Sequence, residues 1–259
     1  MSLFRLDGQA AVITGATLGI GLAYAEGLAS AGIKQLILTY RSAETLETAV
    51  AQIKQFNPDV VISSIKVDFL AMLEDELVEV VYNESFRVSV TGQVDILINN
   101  AGINERHAVE EFPQDKFDNV MKVDLNIPMK LTRRFGTRML ELGTRGKIVN
   151  TTSVLSFQSG VNTAAYTTAK AGLKNFTQAV ANEWSSRGIR VNCLAPGYVV
   201  TKLTDSMSVK NRDLVSMRIP VGRWGKCEEF RGPIVFLCCE ASSYVTGLTL
   251  VVDGGWLGR

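Results

Sequence analysis

Short apolar runs alternate with longer amphipathic stretches along the whole chain. The short runs fall at residues 10–14, 35–39, 60–67, 94–98, 147–151, 190–194 and 249–252. Each is rich in Val, Ile or Leu and bounded by turn residues, the pattern of a β-strand. Their near-continuous apolar character predicts strands covered on both faces, as in a parallel sheet. Between them, residues 20–31, 43–56, 71–89, 114–143, 165–187 and 228–239 carry helical patterning. Strand and helix alternating from end to end predict an α/β fold, a doubly wound seven-stranded parallel sheet with helices on both faces. No repeat, low-complexity tract or linker divides residues 1–259, so one domain is expected. Residues 201–225 break the alternation. This long polar segment carries Pro220, Gly222 and Gly225. It is expected to be a substrate loop or lid, or else a surface excursion with its own short helix.

Composition narrows the function classes. Lys and Arg total 27 against 26 Asp and Glu, a net charge of +1 that gives no hint of a nucleic-acid or membrane partner. No apolar stretch is long enough to span a bilayer, and the N-terminal apolar run is too short for a signal peptide. Cys193, Cys227, Cys238 and Cys239 show no metal-ligand spacing, so a reduced cytoplasmic protein is expected. The single histidine, His107, lies in a loop. A histidine triad or a His-rich metal site is thereby nearly excluded, and no metal is expected.

The chemistry-bearing residues sit at strand ends. The first strand runs into Thr14, Gly15, Ala16, Thr17, Leu18, Gly19, Ile20 and Gly21, which open the first helix. A glycine-rich turn in that context lets backbone approach a pyrophosphate and aims helix N-terminal amides at it, a Rossmann-type arrangement. The spacing is G-x-x-x-G-x-G. After the second strand, Tyr40 stands where an acid would bind a ribose 2′-hydroxyl, and Arg41 and Ser42 follow. This favours NADP(H) over NAD(H). Asp68, after the third strand, is placed for the adenine. Asn99, Ala101 and Gly102, in N-N-A-G at the end of the fourth strand, suit backbone packed on a cofactor.

Tyr166 and Lys170 are four apart, on one helix face, with Ser153 upstream. A tyrosine of pKa about 10 is a poor acid or base at neutral pH. A neighbouring ammonium is expected to lower that pKa, and a serine hydroxyl to hold the reacting oxygen. The trio is read as a device for moving a proton on or off a carbinol oxygen.

Together these motifs resemble the short-chain dehydrogenase/reductase family over the whole chain. They are Thr14–Gly21, Asp68, N-N-A-G, Ser153, Y-x-x-x-K and P-G-Y-V-V-T at 196–201. The resemblance implies hydride transfer between a nicotinamide and a secondary alcohol or ketone carbon. It makes Tyr166 the acid/base, Lys170 its modulator and, with Tyr166, a contact of the nicotinamide ribose, and Ser153 the anchor of the substrate oxygen. Pro196, Gly197, Val199 and Thr201 would line the cofactor, with Thr201 on the carboxamide. Gln158 and Tyr198 join Ser153 and Tyr166 as expected substrate contacts. One departure stands out: the family usually has an asparagine holding a relay water in a V-N-L segment, where this chain has Asp124. Asp124 is expected to keep a catalytic place with altered charge, while Asn126 faces elsewhere.

Segments 155–160, 181–184, 218–225, 232–237 and the terminal V-D-G-G-W-L-G-R resemble sugar-acid dehydrogenases of the 2-deoxy-D-gluconate 3-dehydrogenase and 2-dehydro-3-deoxy-D-gluconate 5-dehydrogenase type. The expected substrate is a polar carbonyl or alcohol compound, a sugar acid, ketose or polyol. The resemblance also implies a homotetramer, with the helices at 114–143 and 165–187 meeting copies of themselves. A non-catalytic, dinucleotide-binding redox sensor is the alternative on the same fold, and the intact Ser153, Tyr166 and Lys170 argue against it. A sugar-nucleotide lyase or epimerase would be expected to carry a larger C-terminal domain.

Overall fold

The computed structural model describes residues 2–204 and 209–259. In chain order its main elements are β1 (Ala10–Ile13), α1 (Gly19–Ser30), β2 (Gln35–Tyr40), α2 (Ala43–Phe56), β3 (Val61–Lys66), α3 (Glu74–Val88), β4 (Ile96–Asn99), α4 (Gln114–Met121), α5 (Ile127–Leu142), β5 (Lys147–Thr151), α6 (Ala164–Trp184), β6 (Arg190–Pro196), α7 (Val209–Ser216), α8 (Arg231–Cys238) and β7 (Thr249–Val252). The seven strands form one sheet in the order β3-β2-β1-β4-β5-β6-β7, every pair parallel. The chain winds outward from β1 in one direction and from β4 in the other. The crevice between their carboxyl ends is therefore a topological switch point, where α/β sheets bind ligands.

Side-chain alternation along the strands makes two cores. Ile13, Leu36, Leu38, Ile98 and Leu194 point to the α1 and α8 side, with Tyr24, Leu28 and Phe230. Val12, Ile37, Leu97, Ile148 and Val191 point to the other side, under Leu77, Leu131, Phe135 and Val180 of α3, α5 and α6. The apolar faces of α5 and α6 thus cover the sheet. No helix among the described residues is long and apolar enough to cross a membrane.

Local chemistry moves several expected boundaries. The helix expected at 71–89 begins only at Glu74, because Asp68 Oδ1 first accepts the amides of Leu70 and Ala71 and shapes a turn. The stretch expected as one helix at 114–143 is interrupted by a π turn at Lys122–Asn126. The helix expected at 228–239 opens with a 3₁₀ turn, Cys227–Phe230. Segment 201–225 contains a 3₁₀ turn at Lys202–Thr204 and α7; residues 205–208 of the expected lid lie outside the described residues.

Gly27 lets α1 meet α8 at backbone distance, since a Cβ there would stand 2.7 Å from the Arg231 carbonyl oxygen. Gly27→Ala is expected to destabilise the fold by roughly 1–3 kcal/mol through overpacking. Calorimetry should show a lowered Tm for it and none for Gly232→Ala, where nothing lies within 4 Å of the added carbon.

Candidate active site

The carboxyl ends of β1, β2, β4, β5 and β6 surround a cleft of about 750 Å³. One end is built by the glycine turn. Gly15 and Gly19 adopt φ of 63° and 59°, the left-handed region that side chains disfavour. A Cβ at Gly15 would press on Ala101 Cα at 3.0 Å, so the turn and the N-N-A-G segment touch through backbone. Thr14 and Asn100 pin them together. Thr14 Oγ1 accepts the amides of Asn100 and Ala101 at 2.9 and 3.0 Å, and Asn100 Nδ2 donates to the carbonyls of Thr14 and Gly15 at 3.1 Å. The first turn of α1 has no side-chain cap. Its free amides suit a phosphate, and bare backbone around them suits close approach. These features fit a dinucleotide.

Thr17, Leu18, Ile20, Gly21, Tyr40, Arg41, Asp68, Gly102, Pro196, Gly197, Val199 and Thr201 line the same cleft. The Leu70 amide, with that of Ala71 and with Arg41 adding, holds the Asp68 carboxyl below the usual carboxylate range. Thr201 stands across the glycine turn, its methyl 3.7 Å from where a Gly19 Cβ would be.

At the other end, α6 and β5 bring Ser153, Tyr166 and Lys170 to the cleft. Ser153 is buried and its Oγ accepts the Leu155 amide at 3.1 Å. Lys170 is 3% exposed; its Nζ lies 5.6 Å from the Tyr166 ring centre and donates to the Thr151 carbonyl at 3.0 Å. Behind it the fully buried Asp124 places Oδ2 3.2 Å from Nζ. Asn126 faces away and donates to Glu74 at 3.1 Å.

The Lys170 ammonium favours the Tyr166 phenolate, as expected, but burial outweighs it. Burial pushes its hydroxyl above the ordinary tyrosine value. Lys170, Ser153 and Arg106 favour the phenolate, but Asp124 opposes them. Burial likewise raises the Asp124 carboxyl, against the pull of Lys170. Burial lowers the Lys170 ammonium, but Asp124, Tyr166 and Cys193 together hold it above its ordinary value.

Four expected contacts lie elsewhere. Asn99 is buried beneath the sheet end, where its Nδ2 donates to Asn150 Oδ1 at 2.8 Å and Thr132 Oγ1 at 3.0 Å; its neighbour Asn100 takes the cleft position. Ser42 is exposed at the start of α2 and does not line the cleft. Tyr198 turns its ring into an aromatic cluster, with centroids 5.3 Å from Trp224 and 4.7 Å from Trp256. Gln158 is half-buried past the Val154–Ser156 turn, away from the cleft lining. Sequence reasoning missed Arg106, an exposed cation in the loop after β4 whose charge acts on the Tyr166 hydroxyl.

Comparison with known proteins decides the lineage. A family model described as Enoyl-(Acyl carrier protein) reductase matches residues 15–257. The chain is 37% identical to 2-dehydro-3-deoxy-D-gluconate 5-dehydrogenase of Escherichia coli, over 100% of this chain and 99% of that protein. It is 39% identical to the enzyme of the same name from Bacillus subtilis, over 99% and 97%. A solved structure of a putative NAD(P)-dependent gluconate 5-dehydrogenase from Beutenbergia cavernae, with bound NADP at low occupancy, superposes with a TM-score of 0.91 at 39% identity, covering 99% of this chain and 100% of that one.

The chain belongs to the short-chain dehydrogenase/reductase family. As a short-chain dehydrogenase/reductase it is an NAD(P)-dependent oxidoreductase acting on CH–OH groups.

Proposed function

We propose that this enzyme interconverts a sugar acid and its keto form with NADP(H). The observation that carries the reading is the full-length similarity to sugar-acid dehydrogenases, and the charge around the reacting tyrosine supports it. Arg106 is exposed, makes no ion pair among the described residues and acts on the Tyr166 hydroxyl. Arg106 stands in the loop after β4, outside the cleft lining, and would have to turn inward to meet the carboxylate of a substrate whose carbonyl lies at Tyr166.

A bound nicotinamide supplies or accepts the hydride at the carbinol carbon. In the reducing direction the carbonyl oxygen sits between Ser153 and Tyr166, and Tyr166 gives it the proton as the carbon is reduced. The resulting phenolate recovers its proton from solvent. Lys170 would hold the nicotinamide ribose with an N–H not used by Thr151, and Arg41 would meet a 2′-phosphate at the opposite end of the cleft. The reading extends to a cytoplasmic homotetramer, supported by four free cysteines and by the abundance of symmetric oligomers. It also takes the described residues 209–225 as bordering the substrate end of the cleft.

Aldonates, 2-keto-3-deoxyaldonates, neutral ketoses and polyols, assayed with both cofactors by nicotinamide absorbance, test this. Acids should be preferred over neutral counterparts of equal length by about one to two decades in kcat/KM, the worth of a charge-assisted contact. Arg106→Ala should erase that preference mainly by raising KM. Equal use of acids and polyols by the wild type would contradict the reading.

A further inference from the structure

An ammonium has three N–H donors. Lys170 spends one on the Thr151 carbonyl at 3.0 Å, and its Nζ lies 3.2 Å from Asp124 Oδ2. The contact with Oδ2 is an ion pair without hydrogen-bond alignment, so the donors not taken by Thr151 are available to the cleft. Asp124 is itself held fast: it is fully buried, and its Oδ1 accepts the Ile103 amide at 2.8 Å. Gly102 leaves room for it, since a Cβ there would come within 2.9 Å of Oδ2. The π turn at Lys122–Asn126 interrupts an otherwise continuous helix at this residue, and such insertions re-aim side chains at functional sites. The helix distortion, the small neighbour and the backbone donor all converge on one carboxylate.

We propose that Asp124 is a positioning residue that clamps Lys170 between the π turn and the end of β5 and offsets the ammonium's pull on the Tyr166 hydroxyl, so that the pH window of the reaction lies higher than a lone Lys170 would set it. A lone ammonium beside a phenol favours the phenolate. An ammonium in contact with a carboxylate acts at a distance as a dipole, and its field falls off sooner. The groups facing Tyr166 are Lys170 on its own helix, Asp124 on the π turn, Ser153 after β5 and Arg106 after β4; Cys193 on β6 adds its influence to Lys170. Burial and Asp124 favour the protonated phenol, against the other three. Because the couple titrates jointly, the proton released first comes from the pair as a whole. The overall equilibrium is untouched; what Asp124 sets is the pH at which each direction runs fastest. The kinetic half of this inference rests on the oxidoreductase reading above, while the titration half stands without it.

The test uses the full-length, cofactor-free protein with its six tyrosines labelled with carbon-13 at Cζ, the Tyr166 signal being identified by its loss in Tyr166→Phe. Tyr166 should stay protonated up to at least pH ~10, the free tyrosine value. In Asp124→Asn its midpoint should fall by about one pH unit or more, as expected for removing a close charge. The pH at which oxidative kcat/KM is half-maximal should fall with it, by about the same amount. A wild-type midpoint below ~10, or a midpoint unmoved in folded Asp124→Asn, would overturn the proposal. Where the substitution prevents folding, the wild-type midpoint alone decides. If the titration behaves as stated but no sugar acid is turned over, the substrate reading fails and the role of Asp124 stands.

Discussion

Tyr166→Phe is expected to lower turnover by about 100-fold or more in both directions, the usual contribution of a positioned acid/base. The substitution keeps the ring that packs near Val120 and Ala169 and removes only the hydroxyl. The cofactor end of the cleft is built by other elements, so the dissociation constant for NADPH should change by no more than a few-fold. Ser153 and Lys170 remain in place, but neither can substitute: the serine is a much weaker acid, and the lysine is committed to Thr151 and Asp124. Stopped-flow measurement of the hydride step, beside a fluorescence titration of NADPH, separates the two effects. Near wild-type turnover would remove Tyr166 from the chemistry. A parallel loss of cofactor affinity would make its role structural.

Arg41→Ala should weaken NADPH by about one to two decades and leave NADH almost unchanged. The 2′-phosphate carries close to two negative charges, and no acidic side chain follows β2 before Glu44. Arg41 lines the cleft from the end of β2, with Asp68 near enough to feel its charge. Its fork matches a phosphate edge. A charge-assisted contact to a partly exposed phosphate contributes roughly 1.5–3 kcal/mol, which sets the predicted loss. Ser42 adds nothing to this estimate, because it does not line the cleft. Calorimetric dissociation constants for both cofactors check it. Equal weakening of the two, or a wild type that prefers NADH, would return Arg41 to the role of a solvated strand-end residue.

How far the site was legible in the chain depends on which force decides each position. Strand order and the cleft follow from periodicity and turn chemistry, which are local. Tyr166 and Lys170 share a helix face by spacing alone. The choice between Asn99 and Asn100 was also within reach: Asn99 has the parity of Leu97, which faces α5, so Asn100 must face the glycine turn. Tyr198 was not legible, because its ring is claimed by Trp224 and Trp256, far away in sequence. The sign of the Tyr166 shift was hidden for a similar reason. An adjacent lysine can be counted along the chain, but burial and the reach of Asp124 through a π turn are properties of the packed molecule.

The central claim is that a hydride passes between the nicotinamide and a keto carbon of a carboxylate-bearing sugar while Tyr166 moves the proton. Its most direct measurement is turnover of a keto sugar acid with NADPH deuterated at the transferred position, followed by mass and NMR analysis of the product. The account predicts one deuterium at the new carbinol carbon, a single configuration there, and no incorporation by Tyr166→Phe on the same timescale. Reduction without deuterium in the product, or the same labelling rate in Tyr166→Phe, would contradict it.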